Sequence, residues 1–380
     1  MNWDDIIVDA AATDTGMRRA NNQDSYTVVR SSKVESWRHR GHIFMVADGM
    51  GAHAVGELAS KLACDNIPHN YCKIKAATPT EAITRAYKEV GALIHGKATA
   101  NRDFQGMGTT CSTLLLLPEG ALIAHIGDSR VYRIRNGRID QLSFDHSLAW
   151  ELVRRNHLSA EQANRAVPRN VITRSLGPDP NIEVDIEGPH PVEMGDVFLL
   201  CSDGLSGPIE DHELGAFAGN FHPKNACRYL LHLANLRGGM DNITVIIARV
   251  GPWVEPESGD LPRLDNGPSN DAKKAGWMKG FTGLIGTKKK AAPAVEEHLY
   301  RSCECPITEE LVDSMAEQVR RGQQAAIEQT WPVEWPALTD QRRIADKLRK
   351  EGKLRHALME LGEAIDLLGT AARLYRKSQN

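Results

Sequence analysis

Four acidic residues stand where strongly apolar runs begin or end. Ile43-Phe44-Met45-Val46-Ala47 runs into Asp48-Gly49-Met50-Gly51, and Phe198-Leu199-Leu200-Cys201-Ser202 runs into Asp203-Gly204. Ile123-Ala124-His125-Ile126-Gly127 leads to Asp128-Ser129-Arg130, and Asp241-Asn242 stands just before Ile243-Thr244-Val245-Ile246-Ile247. A carboxylate at the end of a core strand is held rigidly, so several such ends can bring acids to one point. A single strand-Asp-Gly step is a weak signal, because tight turns use the same residues; the recurrence gives it weight. Hardly any His or Cys accompanies these acids. An all-oxygen donor set suits a hard divalent cation such as magnesium or manganese, not zinc. Gly49 and Gly51 are expected to let the backbone turn sharply after Asp48 and approach what it binds.

The elements that must position these acids follow from periodicity. Ile6 to Thr13 and Tyr26 to Arg30 read as strands bracketing a loop rich in Asn, Asp and Arg, from Thr13 to Ser25, which makes a site loop. His53 to Cys72 and the segment opened by Pro79 carry apolar residues at helical spacing, and both stripes read as core packing. Cys111 to Leu117 and Ala121 to Ile126 form a hairpin around Pro118-Glu119-Gly120; Val131 to Ile134 and Ile139 to Leu142 form another around Asn136-Gly137. Asp145-His146-Ser147 opens a helical region to about Ala166, and Val171 to Ile186 reads as an irregular flap anchored by His146. A strand at Val197 to Cys201, helices near Asp211 to Ala218 and Pro223 to Leu236, and a last strand from Ile243 complete this part. Two groups of strands separated by long helices predict an antiparallel sandwich covered by helices, not alternating βαβ units.

Composition sets the outer bounds. A chain of 380 residues exceeds one ordinary domain, and 41% hydrophobic residues suffice for a large core. A net charge of −3 offers no broad field for nucleic acid. Seven dispersed Cys with no C-x-x-C pair fit reduced thiols, and Cys303-Glu304-Cys305 reads as structural. With no leader-like or membrane-length apolar run, the expectation is a soluble cytoplasmic protein.

Taken together, the motifs resemble the metal-dependent protein phosphatases, the type-2C serine/threonine family, in its bacterial branch. Over roughly residues 5 to 250 the chain carries Gly16-x-x-Arg19-x-Asn21-Asn22-Gln23-Asp24, Asp48-Gly49-Met50-Gly51, Gly56-Glu57-x-Ala59-Ser60 and Gly108-Thr109-Thr110. Gly127-Asp128-Ser129-Arg130, Asp145-His146-Ser147, Cys201-Ser202-Asp203-Gly204-Leu205 and Asp241-Asn242-Ile243-Thr244 follow in order. The resemblance implies an α+β fold, a four-layer α-β-β-α sandwich of two antiparallel sheets flanked by helices. It implies that Asp48 bridges two Mn2+ or Mg2+ ions, that Gly49 lends its carbonyl to one, and that Asp203 and Asp241 hold the other. By the same carry-over Asp24 acts through bound water, Asp128 belongs to a third, weaker ion, and Arg19 grips the substrate phosphate. Arg19 and Asp48 are thus the expected catalytic residues. Ala52 stands where the family usually has Gly, and Met50 where some relatives have a His, which leaves the proton donor open; His53 is one candidate.

The chemistry asks for such a set. Hydrolysis of a phosphate monoester brings an oxygen nucleophile to an anion, and two divalent ions about 3.5–4 Å apart can lower the pKa of a bridging water and neutralise the phosphoryl oxygens. A guanidinium such as that of Arg19 can bind two phosphate oxygens at once. The expected function is hydrolysis of phosphoserine and phosphothreonine in signalling proteins, opposing a Ser/Thr kinase. The alternatives are a non-catalytic scaffold on the phosphatase fold and a phosphatase for a small metabolite.

Beyond Val250 the composition changes. The expected organisation is a phosphatase domain over 1–250, a flexible basic linker over 251–305 and a helical hairpin or coiled-coil-like tail over 306–380. Ala272 to Lys290 holds six lysines and no acid, with Trp277, Phe281 and Leu284 among them. Its four glycines weaken a helix, so a tether is expected over a membrane contact. Thr308 is placed to cap a helix to about Gln329. A long helix is expected from Asp340 to about Tyr375, with a seam of Leu354, Leu358, Leu361, Ile365, Leu368 and Ala372. Packing in a hairpin is preferred over dimerisation, and the tail is assigned to a protein partner.

Overall fold

The computed structural model describes residues 6–51, 55–76, 78–155, 157, 162, 171–254 and 301–379. Among the described residues, twelve strands form two antiparallel sheets. In the first, β1 (Ile7–Asp14), β11 (Ile243–Val250), β10 (Val197–Cys201), β7 (Arg130–Arg135), β8 (Arg138–Gln141) and β12 (Arg301–Glu304) lie side by side in that order. The second runs β2 (Asp24–Val29), β3 (His42–Met50), β5 (Cys111–Leu117), β6 (Gly120–Ile126), β9 (Asp185–His190), with β4 (Gly108–Thr109) paired to the end of β3.

Alternation along the central strands separates three apolar layers. Ile43, Met45 and Ala47 of β3 face α2 (Val55–Lys73) and α3 (Pro79–Ala100), while Phe44 and Val46 meet Phe198, Leu200, Ile246 and Ala248 between the sheets. Ile243, Val245 and Ile247 point the other way, onto α6 (Asp211–Asn220) and α7 (Pro223–Leu236). The result is the expected four-layer α-β-β-α sandwich. The Asn136-Gly137 hairpin is made as predicted, both residues having positive φ.

Several elements differ from expectation. α1 (Val34–Arg40), short and mostly exposed, carries too weak an apolar pattern to be read. Strand β9 takes over the end of the segment expected to be irregular, pairing Ala124 with Ile186 and Ala121 with His190. The tail has three helices, not two: α8 (Glu309–Glu328), α9 (Trp335–Lys350) and α10 (Leu354–Gln379). Thr308 caps α8, its hydroxyl accepting the Leu311 amide at 3.2 Å. The expected long helix is broken at Gly352, whose φ of 74° gives a left-handed stop.

These helices pack on the same compact unit as residues up to Trp253. Leu358, Leu361, Ile365 and Leu368 are buried in one cluster with Tyr229, Leu230 and Leu233 of α7. Strand β12 falls inside the stretch expected to be linker, and Cys305 beyond it packs into that core. The lysine-rich segment 272–290 lies outside the described residues, as do Ala52, His53 and much of the expected helix after Arg154. α4 (Leu148–Arg154) is the described part of that helix, capped by Ser147. Among the described residues, no helix is long and apolar enough to cross a membrane.

Candidate active site

The acids are gathered where the two sheets meet at one end. Asp24 and Asp48 are register partners on β2 and β3. Asp203 begins α5 (Asp203–Ser206) directly after β10, Asp241 precedes β11, and Asp128 precedes β7. Burial raises the Asp48 carboxyl well above its ordinary value, and the charges of Asp24, Asp203, Asp128 and Asp241 raise it further. Asp24 is pushed up to about 7, first by burial and then by Asp203 and Asp241, against the hydroxyls of Ser202 and Thr244. Asp203 is raised by burial and by Asp241, and Asp128 by burial, Asp203 and Asp145. One oxygen each of Asp24, Asp128 and Asp203 is buried with no hydrogen-bond partner among the described residues.

Such a site favours positive charge. Mutually repelling carboxylates with orphaned oxygens fit divalent cations, which would supply the missing partners and relieve the repulsion. The acids expected as ligands, Asp24, Asp48, Asp128, Asp203 and Asp241, thus lie near one another, with Gly49 next to Asp48 in the chain. Among the described residues, no three acids, histidines or thiols are drawn together as a ready-made cage.

Arg19 reaches the same place from the loop between β1 and β2. Its guanidinium lies 2.7 Å from a carboxylate oxygen of Asp241, half-exposed at the mouth of the acid cluster. The hydrogen bond to Asp241 raises its pKa, with Asp48 and Asp203 adding to the effect. An incoming anion would meet a charged donor before it reached the acids.

Gly49 is a correction to the sequence reading. The strand does not turn there: β3 continues through Met50, pairing Gly49 with Thr109. Glycine is needed for close approach, since a Cβ would collide with the Gly56 carbonyl of α2. The turn comes at Gly51, with φ of 135°.

Other groups that hold the site carried no assigned role. Thr110 accepts the Asp48 amide on its hydroxyl at 2.9 Å, and Thr109 donates to the Asp48 carbonyl at 2.9 Å. Ser202 donates to Asp24 at 2.7 Å and accepts the Thr244 amide at 3.0 Å. Asn242 accepts the Gln23 amide at 2.8 Å and donates to the carbonyls of Thr15 and Asn21, pinning the Arg19 loop to β11. Small hydroxyls ending apolar runs were the available signal. His146 is structural, as expected: Nδ1 accepts the Gly127 amide at 3.0 Å and Nε2 meets Asp185 at 2.9 Å.

A cavity of about 950 Å³ extends from Asp128, Asp203 and Asp241 past Trp150, Arg237 and Met240 to Arg301 of β12. It is large enough for a peptide side chain with its neighbours.

Comparison with known proteins shows the family. The protein phosphatase 2C family model matches residues 17–230. Protein phosphatase PhpP of Streptococcus pneumoniae is 34% identical over 240 residues, 62% of this chain and 94% of that protein. The structure of the Mycobacterium tuberculosis serine/threonine phosphatase PstP/Ppp superposes with a TM-score of 0.57 at 30% identity, covering 65% of this chain and 99% of the other. A PstP catalytic domain solved in complex with two manganese ions matches with a TM-score of 0.55 at 30% identity, over 65% of this chain and 99% of that one. The family model spans more than half of the sequence, and the chain belongs to the protein phosphatase 2C family.

Proposed function

We propose that this protein hydrolyses phosphoserine and phosphothreonine esters in proteins, using Mn2+ or Mg2+. The observation that carries the reading is the convergence of Asp24, Asp128, Asp203 and Asp241 on Asp48, whose carboxyl all four charges raise, with Arg19 beside Asp241 at their opening. Asp48, Asp203, Asp241 and the Gly49 carbonyl would hold two ions, Asp24 would act through water, and Asp128 would serve a third. When bound, the ions lower the pKa of water and neutralise phosphoryl charge.

The chain's own residues do the rest. Arg19 binds the phosphoryl oxygens, which requires its guanidinium to share or exchange its contact with Asp241. Ser202 holds a carboxylate oxygen of Asp24, and Thr110 holds the backbone amide of Asp48, so both acids start from a fixed position. No thiol takes part: burial raises Cys64, Cys111, Cys201 and Cys227 above the ordinary thiol range, which keeps them protonated and inert.

The substrate is a phosphoprotein, and the activity opposes a Ser/Thr protein kinase in cytoplasmic signalling; seven free cysteines accord with a reducing compartment. The C-terminal helices serve a protein partner, a role supported by the outward-facing Trp335, Ile344 and Leu374. The test is turnover of p-nitrophenyl phosphate and a phosphothreonine peptide with manganese, against chelator and against sugar phosphates. Metal-independent turnover, or preference for the sugar phosphate, would reject the reading.

A further inference from the structure

The loop that carries Arg19 is held from two sides. Inside, Gly16, with φ of 76°, lies against the Asp241 carbonyl so closely that a Cβ would collide. The amides of Met17 and Arg18 both donate to the Gly239 carbonyl, at 2.7 and 3.1 Å. Outside, the C-terminal helix α10 supplies two arginines. Arg373 Nε meets Asp14 Oδ2 at 2.8 Å, and Arg376 donates to the backbone carbonyls of Gly16 and of Arg19 itself. Asp14 is buried, and its other oxygen accepts the Gly16 amide at 2.9 Å and the Asn235 side chain at 3.1 Å.

We propose that Arg373 and Arg376 are positioning residues for phosphate recognition: the C-terminal helix clamps the loop 14–19 so that Arg19 is presented beside Asp241. This rests on the reading of Arg19 as the phosphate-binding residue. The residues matched by the family model end at 230, so the clamp is supplied by a part of the chain beyond that match. A guanidinium with one arm on the Gly16 carbonyl and the other on that of Arg19 fixes the backbone of the very residue whose side chain must reach the anion. Without it, the Arg19 side chain must be ordered at the moment of binding, and that ordering is charged against affinity.

The experiment uses the full chain with saturating manganese. Arg376→Gln and Arg373→Gln are each made alone and in an Arg19→Gln background, with kcat and KM measured on a phosphothreonine peptide and inhibition by inorganic phosphate titrated. For Arg376→Gln the expected result is about a tenfold rise in KM and in the phosphate inhibition constant, with kcat changed less than about threefold, as for lost ground- and transition-state binding alike. In the Arg19→Gln background the same substitution should add less than about twofold, since coupled residues are non-additive. Arg373→Gln, which loosens the same loop through Asp14, should move the same constants in the same direction and supplies the measurement if Arg376→Gln fails to fold. Equal effects in both backgrounds, or wild-type phosphate affinity in a folded variant, would overturn the positioning role while leaving the phosphatase reading intact. A wild-type chain inactive with manganese would overturn that reading and the proposal that rests on it.

Discussion

Asp24 and Asp48 face each other directly across adjacent antiparallel strands. Like charges so placed destabilise a sheet, and here both carboxyls are raised, Asp24 to about 7. A carboxyl with a raised pKa stabilises the fold fully only when protonated, below the unfolded value of 3.8, and that contribution is lost as pH rises toward about 7. The metal-free chain should therefore gain on the order of 1–3 kcal/mol at pH 8 when Asp24 becomes Asn, with Ser202 still bonded to the amide oxygen. Urea unfolding in chelator checks this. Manganese should stabilise the wild type more than the variant; an unchanged or lowered midpoint for Asp24→Asn in chelator would contradict the electrostatic account.

Asp203→Asn and Asp241→Asn should each lower turnover by at least about 100-fold, the scale of losses when a metal site's supporting ligands are altered. Melting of the metal-free protein should not fall, because each change removes a repelling charge. Asp241→Asn also deprives Arg19 of its partner, so the residual phosphate affinity should change as well. Unaltered turnover in either purified variant would count heavily against the site.

Gly204 sits where its Cβ would collide with the Asn242 carbonyl. Gly204→Ala should force the start of α5 away from β11, carrying Asp203 and Asp241 apart. Expected is a loss of about 3 kcal/mol or more together with loss of activity, because buried backbone cannot give way as a side-chain tip can. A variant with wild-type stability would show that the two segments are less tightly opposed than described.

His125 and His232 are buried and lowered to about 4, His125 by burial and then by His146, His232 by burial and then by Arg373. A histidine lowered on folding must be kept neutral, so stability falls as pH drops from 6.5 toward 4, where the unfolded chain alone takes up the proton. Each should cost about 1–2 kcal/mol by pH 5. His125 bonds to Ser112 and to the Phe144 carbonyl at 2.8 Å, so His125→Gln will weaken the fold at pH 7.5 through lost packing. The difference between its urea midpoints at pH 7.5 and 5 should nevertheless shrink. The same pH slope in variant and wild type would exclude His125 as a source.

The sheets and the acids were legible because each strand is a short apolar run and each acid interrupts one. Cys111–Leu117 and Val197–Cys201 were bounded to the residue, as was helix Pro223–Leu236. What could not be read depends on partners distant in sequence. Asp48 stays inside its strand because β4 pairs with Gly49 and Met50, a contact nothing near residue 49 announces. Strand β9 hides behind a polar, proline-containing sequence and is defined by β6. Gly352 does not announce a stop in the sequence, because one glycine in a helical pattern costs only about 1 kcal/mol, whereas its φ of 74° separates α9 from α10. Arg376 gave no signal, since a basic residue in a last helical turn is ordinary.

The seam of α10 makes the final prediction. Leu358 and Ile365 are fully buried, and their cluster includes Tyr229, Leu230 and Leu233 of α7 as well as Val245 and Ile247 of β11. One continuous core should melt as one unit, even though the family match ends before these helices begin. Leu358→Ala or Ile365→Ala should cost about 2–5 kcal/mol, the usual loss for a buried aliphatic side chain. The whole transition should shift, with phosphatase activity and helical signal lost at the same denaturant concentration. A variant whose helical signal fell early, while activity survived to the wild-type midpoint, would show that the C-terminal helices unfold independently of the active site.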